Sequence, residues 1–245
     1  MTHAEIAAAL FGKSHASSVD AASIVRGTGT LKSGREVNVV GIANAEPLGI
    51  EAALAIAQEV LDIMRRKPGA AILVLVDSGS QLMSRREELL GLNEALGHLI
   101  KVLHVAASSG HPTAGLLYGR STGGALIATG LATSWLAALP RAQPSVMELQ
   151  AMARVVKLPL EQLERLAADT PVFAPGVANF ARTGAIHSIW DADTDLGIQL
   201  EQLFARHPAR EDERARLGNE RGGRTKAAAI IERVVERVVA DAHRG

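Results

Sequence analysis

Apolar positions along the chain change their period several times, and each change marks a predicted element. From Val25 to Ala43, β-branched runs flank Lys32-Ser33-Gly34-Arg35, which predicts a hairpin whose turn is set by Ser33 and Gly34. Asn44 to Pro47 then breaks the second strand. Between Ile50 and Met64 the residues Ala53, Leu54, Ile56, Ala57, Val60, Leu61 and Met64 recur at helical spacing, and Lys67-Pro68-Gly69 closes that helix. Ala70 to Val76 is apolar at every position and stops at Asp77-Ser78-Gly79-Ser80, the pattern of a central strand covered on both faces. A long helix over Glu87 to Ser108 and a short strand over Pro112 to Leu117 follow.

Tyr118 to Trp135 reads as a glycine turn and a helix start, with Ala125 to Ala128 as the buried opening of that helix. Trp135 and Leu136 place a strand over Ser134 to Leu139, ended by Pro140 and Pro144. Ser145 and Glu148 have capping-box spacing at the head of a helix to Val156. Shorter helices over Pro159 to Ala168 and Val177 to Ala181 precede a last strand within Gly184 to Trp190. This alternation predicts an α/β fold with a mostly parallel sheet in residues 21–205. Residues 1–20 read as a loosely packed arm that could hold a short helix, and residues 206–226 as a charged, solvated linker. Ala227 to Ala240 sets Ile230, Ile231, Val234, Val235, Val238 and Val239 on one face and Glu232, Arg233, Glu236 and Arg237 on the other. Such a stripe needs cover from the chain's own core or from a partner subunit.

Composition narrows the function classes. A chain of 245 residues, 47% of them apolar, can bury the core of one large domain. No apolar run approaches the roughly 20 residues of a membrane span, and no basic region precedes Ala7 to Phe11 as in a secretory signal. A cytoplasmic location without membrane contact is expected. The absence of cysteine removes disulfides, thiolate metal sites and cysteine nucleophiles. With 26 basic and 26 acidic residues and 3% aromatics, no nucleic-acid surface is expected. His98 and His104 lie six apart, on different helix faces, so no metal site is expected there. His111 could move protons near neutral pH, but no neighbouring residue in sequence supports that role. Gly12-Lys13-Ser14 lacks the preceding glycine of a phosphate loop, since Ala7 stands in its place.

Two stretches carry candidate chemistry. Gly123 and Gly124 open a helix, where the first amides have no partner within the helix and favour negative charge. Those amides suit an oxyanion hole, although two glycines also let a helix pack close to a sheet. Asp77 to Ser80 lies at the carboxyl end of a buried strand, where parallel α/β sheets place ligands. It could equally be an ordinary turn with a serine cap.

The order of these pieces resembles the carboxyltransferase branch of the crotonase superfamily, and more narrowly the gamma subunit of the biotin-independent malonate decarboxylase. The resemblance rests on Gly27 to Gly34, Val37 to Gly49, Asp77 to Glu87, Tyr118 to Pro140 and Phe180 to Asp191, and spans about residues 20–195. It implies a crotonase-like spiral of ββα repeats. It implies oxyanion-hole amides at Gly79 and Ser80 and at Gly123 and Gly124, and the side chains of Ser78, Ser80, Gln81, Ser121 and Thr122 could orient the carboxylate or the carbonyl through hydrogen bonds. It also implies a homologous beta subunit, an acyl-carrier subunit whose phosphopantetheine-type arm holds the malonyl group, and an acyl-transferase subunit. No cofactor is then bound by this chain itself. Arg120-Ser121-Thr122 departs from the glycine-richer turn of biotin-dependent alpha subunits and leaves less room for a carboxybiotin ring. Two other readings remain at this stage: a structural subunit with the chemistry confined to its partner, and a biotin-dependent carboxyltransferase subunit.

Overall fold

A computed structural model describes residues 1–147, 149–169, 174–205 and 212–242. Its elements run α1 (His3–Phe11), β1 (Ser18–Val19), β2 (Ile24–Thr30), β3 (Glu36–Leu48), α2 (Ile50–Arg66), β4 (Ala71–Gln81), α3 (Arg85–Leu89), α4 (Leu92–Ser108), β5 (Thr113–Leu117) and β6 (Arg120–Thr122). They continue with α5 (Gly123–Ala128), β7 (Trp135–Ala138), β8 (Gln143–Ser145), α6 (Leu149–Val156), α7 (Leu160–Asp169), α8 (Val177–Arg182), β9 (Ser188–Ile189), α9 (Leu196–Ala205), α10 (Arg214–Glu220) and α11 (Ala227–Ala242). The main sheet is ordered β1-β2-β3-β4-β5-β7-β9, and β6 pairs with β8 in a separate two-stranded sheet. The predicted hairpin is β2 against β3; from β3 onward every pairing is parallel. The runs β5-β6-α5 and β7-β8-α6 each give strand, strand and helix, with the second strand leaving the main sheet.

Alternation along β4 builds the core on both sides. Ile72, Val74 and Val76 point to one layer, where they meet Ala53, Ile56, Ala57 and Val60 of α2 and Leu99, Val102 and Leu103 of α4. Ala71, Leu73 and Leu75 point to the other, against Ile6 and Leu10 of α1 and Leu196, Leu200 and Leu203 of α9. A strand apolar at every position is thus what a sheet covered on both faces requires.

Several predicted elements differ in extent. The amino-terminal segment is no loose arm: Thr2 and Glu5 form a capping box, and Ile6, Leu10 and Phe11 are buried. The long helix is split, because Gly91 at φ +82° separates α3 from α4. Asn44 to Pro47 and Asp77 to Ser80, read as breaks, lie within β3 and β4 instead, with an irregularity in β3. Asn44 and Ala45 take φ values of 63° and 52°, and the pairing resumes at Glu46–Ser78 and Leu48–Gln81. Residues 212–226 hold α10 and a docked turn rather than a solvated linker. Gly184 to Trp190 contributes only two strand residues, Ser188 and Ile189. The capping partner Glu148 lies outside the described residues.

Leu99 is fully buried between α4 and the sheet. Leu99→Ala is expected to lower unfolding free energy by about 2–5 kcal/mol, measured as a shift of the urea midpoint at constant m-value.

Candidate active site

β4 and β5 deliver the two candidate stretches to one end of the sheet, and side chains tie them together there. The Asp77 carboxylate accepts a hydrogen bond from the Arg120 amide at 3.0 Å. Gly119 passes so close that a Cβ on it would collide with that carboxylate. Ser78 and Ser121, both fully buried, pair through their hydroxyls at 2.8 Å. Thr122 and Ser145 make the same kind of pair at 3.0 Å and join β6 to β8.

The glycine turn lies beyond these ties. Gly123 has φ +58°, a left-handed conformation that disfavours any side chain, and it leads into α5. The Gly124 amide donates to Oε1 of Gln81 at 2.9 Å. A donor exposed by the helix start is therefore aimed at the end of β4 and is held by a neutral side-chain carbonyl. Nε2 of Gln81 donates to the Met83 sulfur at 3.4 Å, and the Ser80 hydroxyl donates to the Gln81 carbonyl at 3.0 Å.

The eight predicted residues thus form one cluster with two depths. Ser78, Ser121 and Thr122 are buried and hydrogen-bonded within the chain, whereas Gly79, Ser80, Gln81, Gly123 and Gly124 are half-buried at the surface. The rim is apolar: Leu82 and Met83 follow Gln81 and are exposed, as is Val146, whose carbonyl lies beside Gly123.

Two supporting residues escaped the sequence reading. Glu87 is buried, accepts the Ile50 amide of α2 at 2.7 Å and pairs with Arg86 at 2.7 Å. Ser84 caps the Glu87 amide at 3.2 Å, so the Ser84 and Glu87 spacing was an available signal. Tyr118 is also buried, and burial together with the nearby Asp77 charge pushes its hydroxyl well above the ordinary phenol range. That shift gave no sequence signal, since it depends on what the ring packs against.

A cavity of about 800 Å³ lies at the opposite, amino-terminal end of β5 and β7, lined by Ile100, His104, His111, Trp135 and Arg214 among others. None of the eight candidate residues lines it. The chemistry-bearing cluster lies at the other, carboxyl-terminal end of the sheet, away from that cavity. Among the described residues no group of His, Asp and Glu could hold a metal, and no helix is long and apolar enough to cross a membrane.

A two-sided parallel sheet with strand-strand-helix repeats, and a glycine helix start facing a neighbouring strand end, place the chain in the crotonase-like fold class. The family model for the malonate decarboxylase gamma subunit matches residues 43–238, and the chain belongs to that family. A chain of a Pseudomonas malonate decarboxylase hetero-tetramer in complex with coenzyme A is 26% identical, with a TM-score of 0.78 over 94% of this chain and 96% of that one. A chain of the Pseudomonas malonate decarboxylase MdcD–MdcE hetero-dimer is 27% identical, with a TM-score of 0.74 and the same coverage. The malonyl-S-ACP:biotin-protein carboxyltransferase MADD of Malonomonas rubra is 29% identical over 166 residues, 62% of this chain. This chain spans 57% of that relative's length.

Removing one hydroxyl of the buried Ser78–Ser121 pair leaves the other without a partner. Ser78→Ala and Ser121→Ala should each cost about 1–3 kcal/mol of stability, and the double variant clearly less than their sum. Urea unfolding of the four proteins measures this, and strict additivity would show that the pair is not coupled.

Proposed function

We propose that this chain is the gamma half of a malonate decarboxylase site, completed by a homologous beta subunit. The reaction converts a malonyl thioester on an acyl-carrier subunit to the acetyl thioester and CO2. The observation that carries the reading is the Gly124 amide aimed across to Gln81 at the end of β4, the strand that also carries the half-buried Gly79 and Ser80.

In the reaction, the bond between the α-carbon and the carboxylate breaks and CO2 leaves. The electron pair delocalises onto the thioester oxygen as an enolate, and a proton then returns to the α-carbon. Amides of Gly79 and Ser80 or of Gly123 and Gly124 stabilise that oxygen, and such a donor is worth roughly 3–4 kcal/mol of barrier. Gln81 and Ser80 orient the substrate from the rim, while Ser78, Ser121 and Thr122 hold the two stretches in register. The apolar rim of Leu82, Met83 and Val146 supports a partner subunit closing over the site, which excludes water from the reacting carboxylate.

In this reading residues 21–205 are the carboxyltransferase domain, residues 1–20 are an arm packed on it and residues 206–245 are an extension. The malonyl group arrives on the phosphopantetheine-type arm of the acyl-carrier subunit, loaded by an acyl-transferase subunit, and the complex works in the cytoplasm. This chain binds no cofactor of its own.

Gly124→Val places a side chain against Leu96 and Gln81 and displaces the amide. In the reconstituted complex it should cut turnover of malonyl-carrier at least about 100-fold, with assembly unchanged by size-exclusion chromatography. Wild-type turnover by an assembled Gly124→Val complex would rule out these amides, and avidin-sensitive activity would favour a biotin-dependent transferase.

A further inference from the structure

The carboxyl-terminal helix α11 is bare along its apolar face. Ile230, Ile231, Val234, Val235 and Val238 are 49–63% exposed. At 3.6 residues per turn they cover about half of the helix circumference, with Glu232, Arg233, Glu236 and Arg237 on the other half.

The root of this helix is firmly held. In α10, Arg214 donates to the Thr133 carbonyl at 2.8 Å. Arg221 donates to the carbonyls of Ala181, Ile186 and His187 at 2.9, 2.8 and 2.8 Å. Gly218 and Gly223 lie so close to the Thr183 and Arg182 main chain that a Cβ on either would collide. Gly223 and Arg224 both donate to the Gly218 carbonyl at 2.9 Å, which fixes the turn from which α11 departs. The body of the protein thus sets the direction of a helix whose apolar side it leaves uncovered.

The shape and charge of that face narrow the choice of its occupant. A two-stranded coiled coil uses a narrow seam, whereas a stripe this wide suits a helix lying against a broad surface. Two copies of α11 pairing alone, each about 24 Å long and 10–12 Å wide, would bury less than the roughly 1,200 Å² from which stable interfaces start. The polar half carries two acids and two bases, so it offers no net charge to a strongly charged partner. The family match runs to residue 238 and so includes most of α11, which makes the helix part of the shared subunit rather than an appendage of this chain.

We propose that α11 seats in an apolar groove of the homologous beta subunit and anchors the heterodimer at a distance from the glycine turn. This rests on the beta-subunit pairing of the proposed function. The test uses the full chain with purified beta subunit and compares Ile231→Asp/Val235→Asp/Val238→Asp with the polar-face control Arg233→Ala/Glu236→Ala. The apolar-face variant should weaken the heterodimer at least about 100-fold by isothermal titration calorimetry, with the control within about twofold. The thermal midpoint of each isolated variant should match the parent, because α11 packs on the body through α10. Amides of 230–238 should gain hydrogen-exchange protection only in the heterodimer.

Parent-like affinity of the apolar-face variant would overturn the proposal. So would a loss of self-association with beta affinity intact, which would make a second copy the occupant, or a wild-type chain that does not bind the beta subunit. A heterodimer that depends on α11 yet fails to decarboxylate malonyl-carrier would uphold this interface and overturn the proposed activity.

Discussion

β4 continues as an extended strand past the hydrophobic layers that hold its first half, and side chains reaching sideways keep it there. Up to Val76 each residue is locked by burial on one sheet face or the other. Beyond it, Asp77 takes the Arg120 amide, Ser78 pairs with Ser121 and Gln81 takes the Gly124 amide, so the strand end and the β6–α5 turn form one body. β3 follows through its irregularity at Asn44 and Ala45, which restores pairing at Ser78. Ser78 and Ser121 are withdrawn from water, so losing either hydroxyl leaves the other unsatisfied, and that buried pair anchors the more exposed ties around it.

That constraint has a chemical consequence for the proposed reaction. The Gly124 amide is occupied by a neutral amide oxygen, which can compete on equal terms with a neutral thioester carbonyl. It cannot compete equally with an enolate, since hydrogen bonds to charged acceptors are roughly twice as strong as neutral ones. In the proposed reaction, exchange of Gln81 for the reacting oxygen would therefore favour the transition state over the bound substrate, which is the condition for catalysis by differential binding. The cavity at the other end of β5 and β7 is lined by none of these residues.

Residues whose partners lie close in sequence, or whose burial repeats strictly, were legible in advance. The α2 stripe, the uninterrupted apolar run of β4 and the turn at Ser33 and Gly34 all carry their reason locally. Asp77 to Gln81 did not. Asp, Ser and Gly together read as a turn, and only the register with Glu46 and Leu48 makes them strand. The candidate residues could be named from the resemblance, but their two depths could not, because the Ser78–Ser121 and Thr122–Ser145 pairs join residues 43 and 23 apart. Residues 212–226 misled for a related reason: their charges suggested solvation, whereas Arg214 and Arg221 spend them on main-chain carbonyls of the body.

By itself the sequence determined which segments must be covered. Period-two and period-3.6 patterns specify a sheet packed on both faces, helices with one apolar side and a terminal helix with an unmet need for a surface. Tertiary structure decided which of those needs this chain meets. It closes the layers over β4 with α1, α2, α4 and α9 and leaves the apolar face of α11 exposed. The physical reason is that a hydrophobic pattern states only that area must leave water. Whether the covering atoms belong to the same chain depends on contacts between residues far apart, and no local pattern contains them.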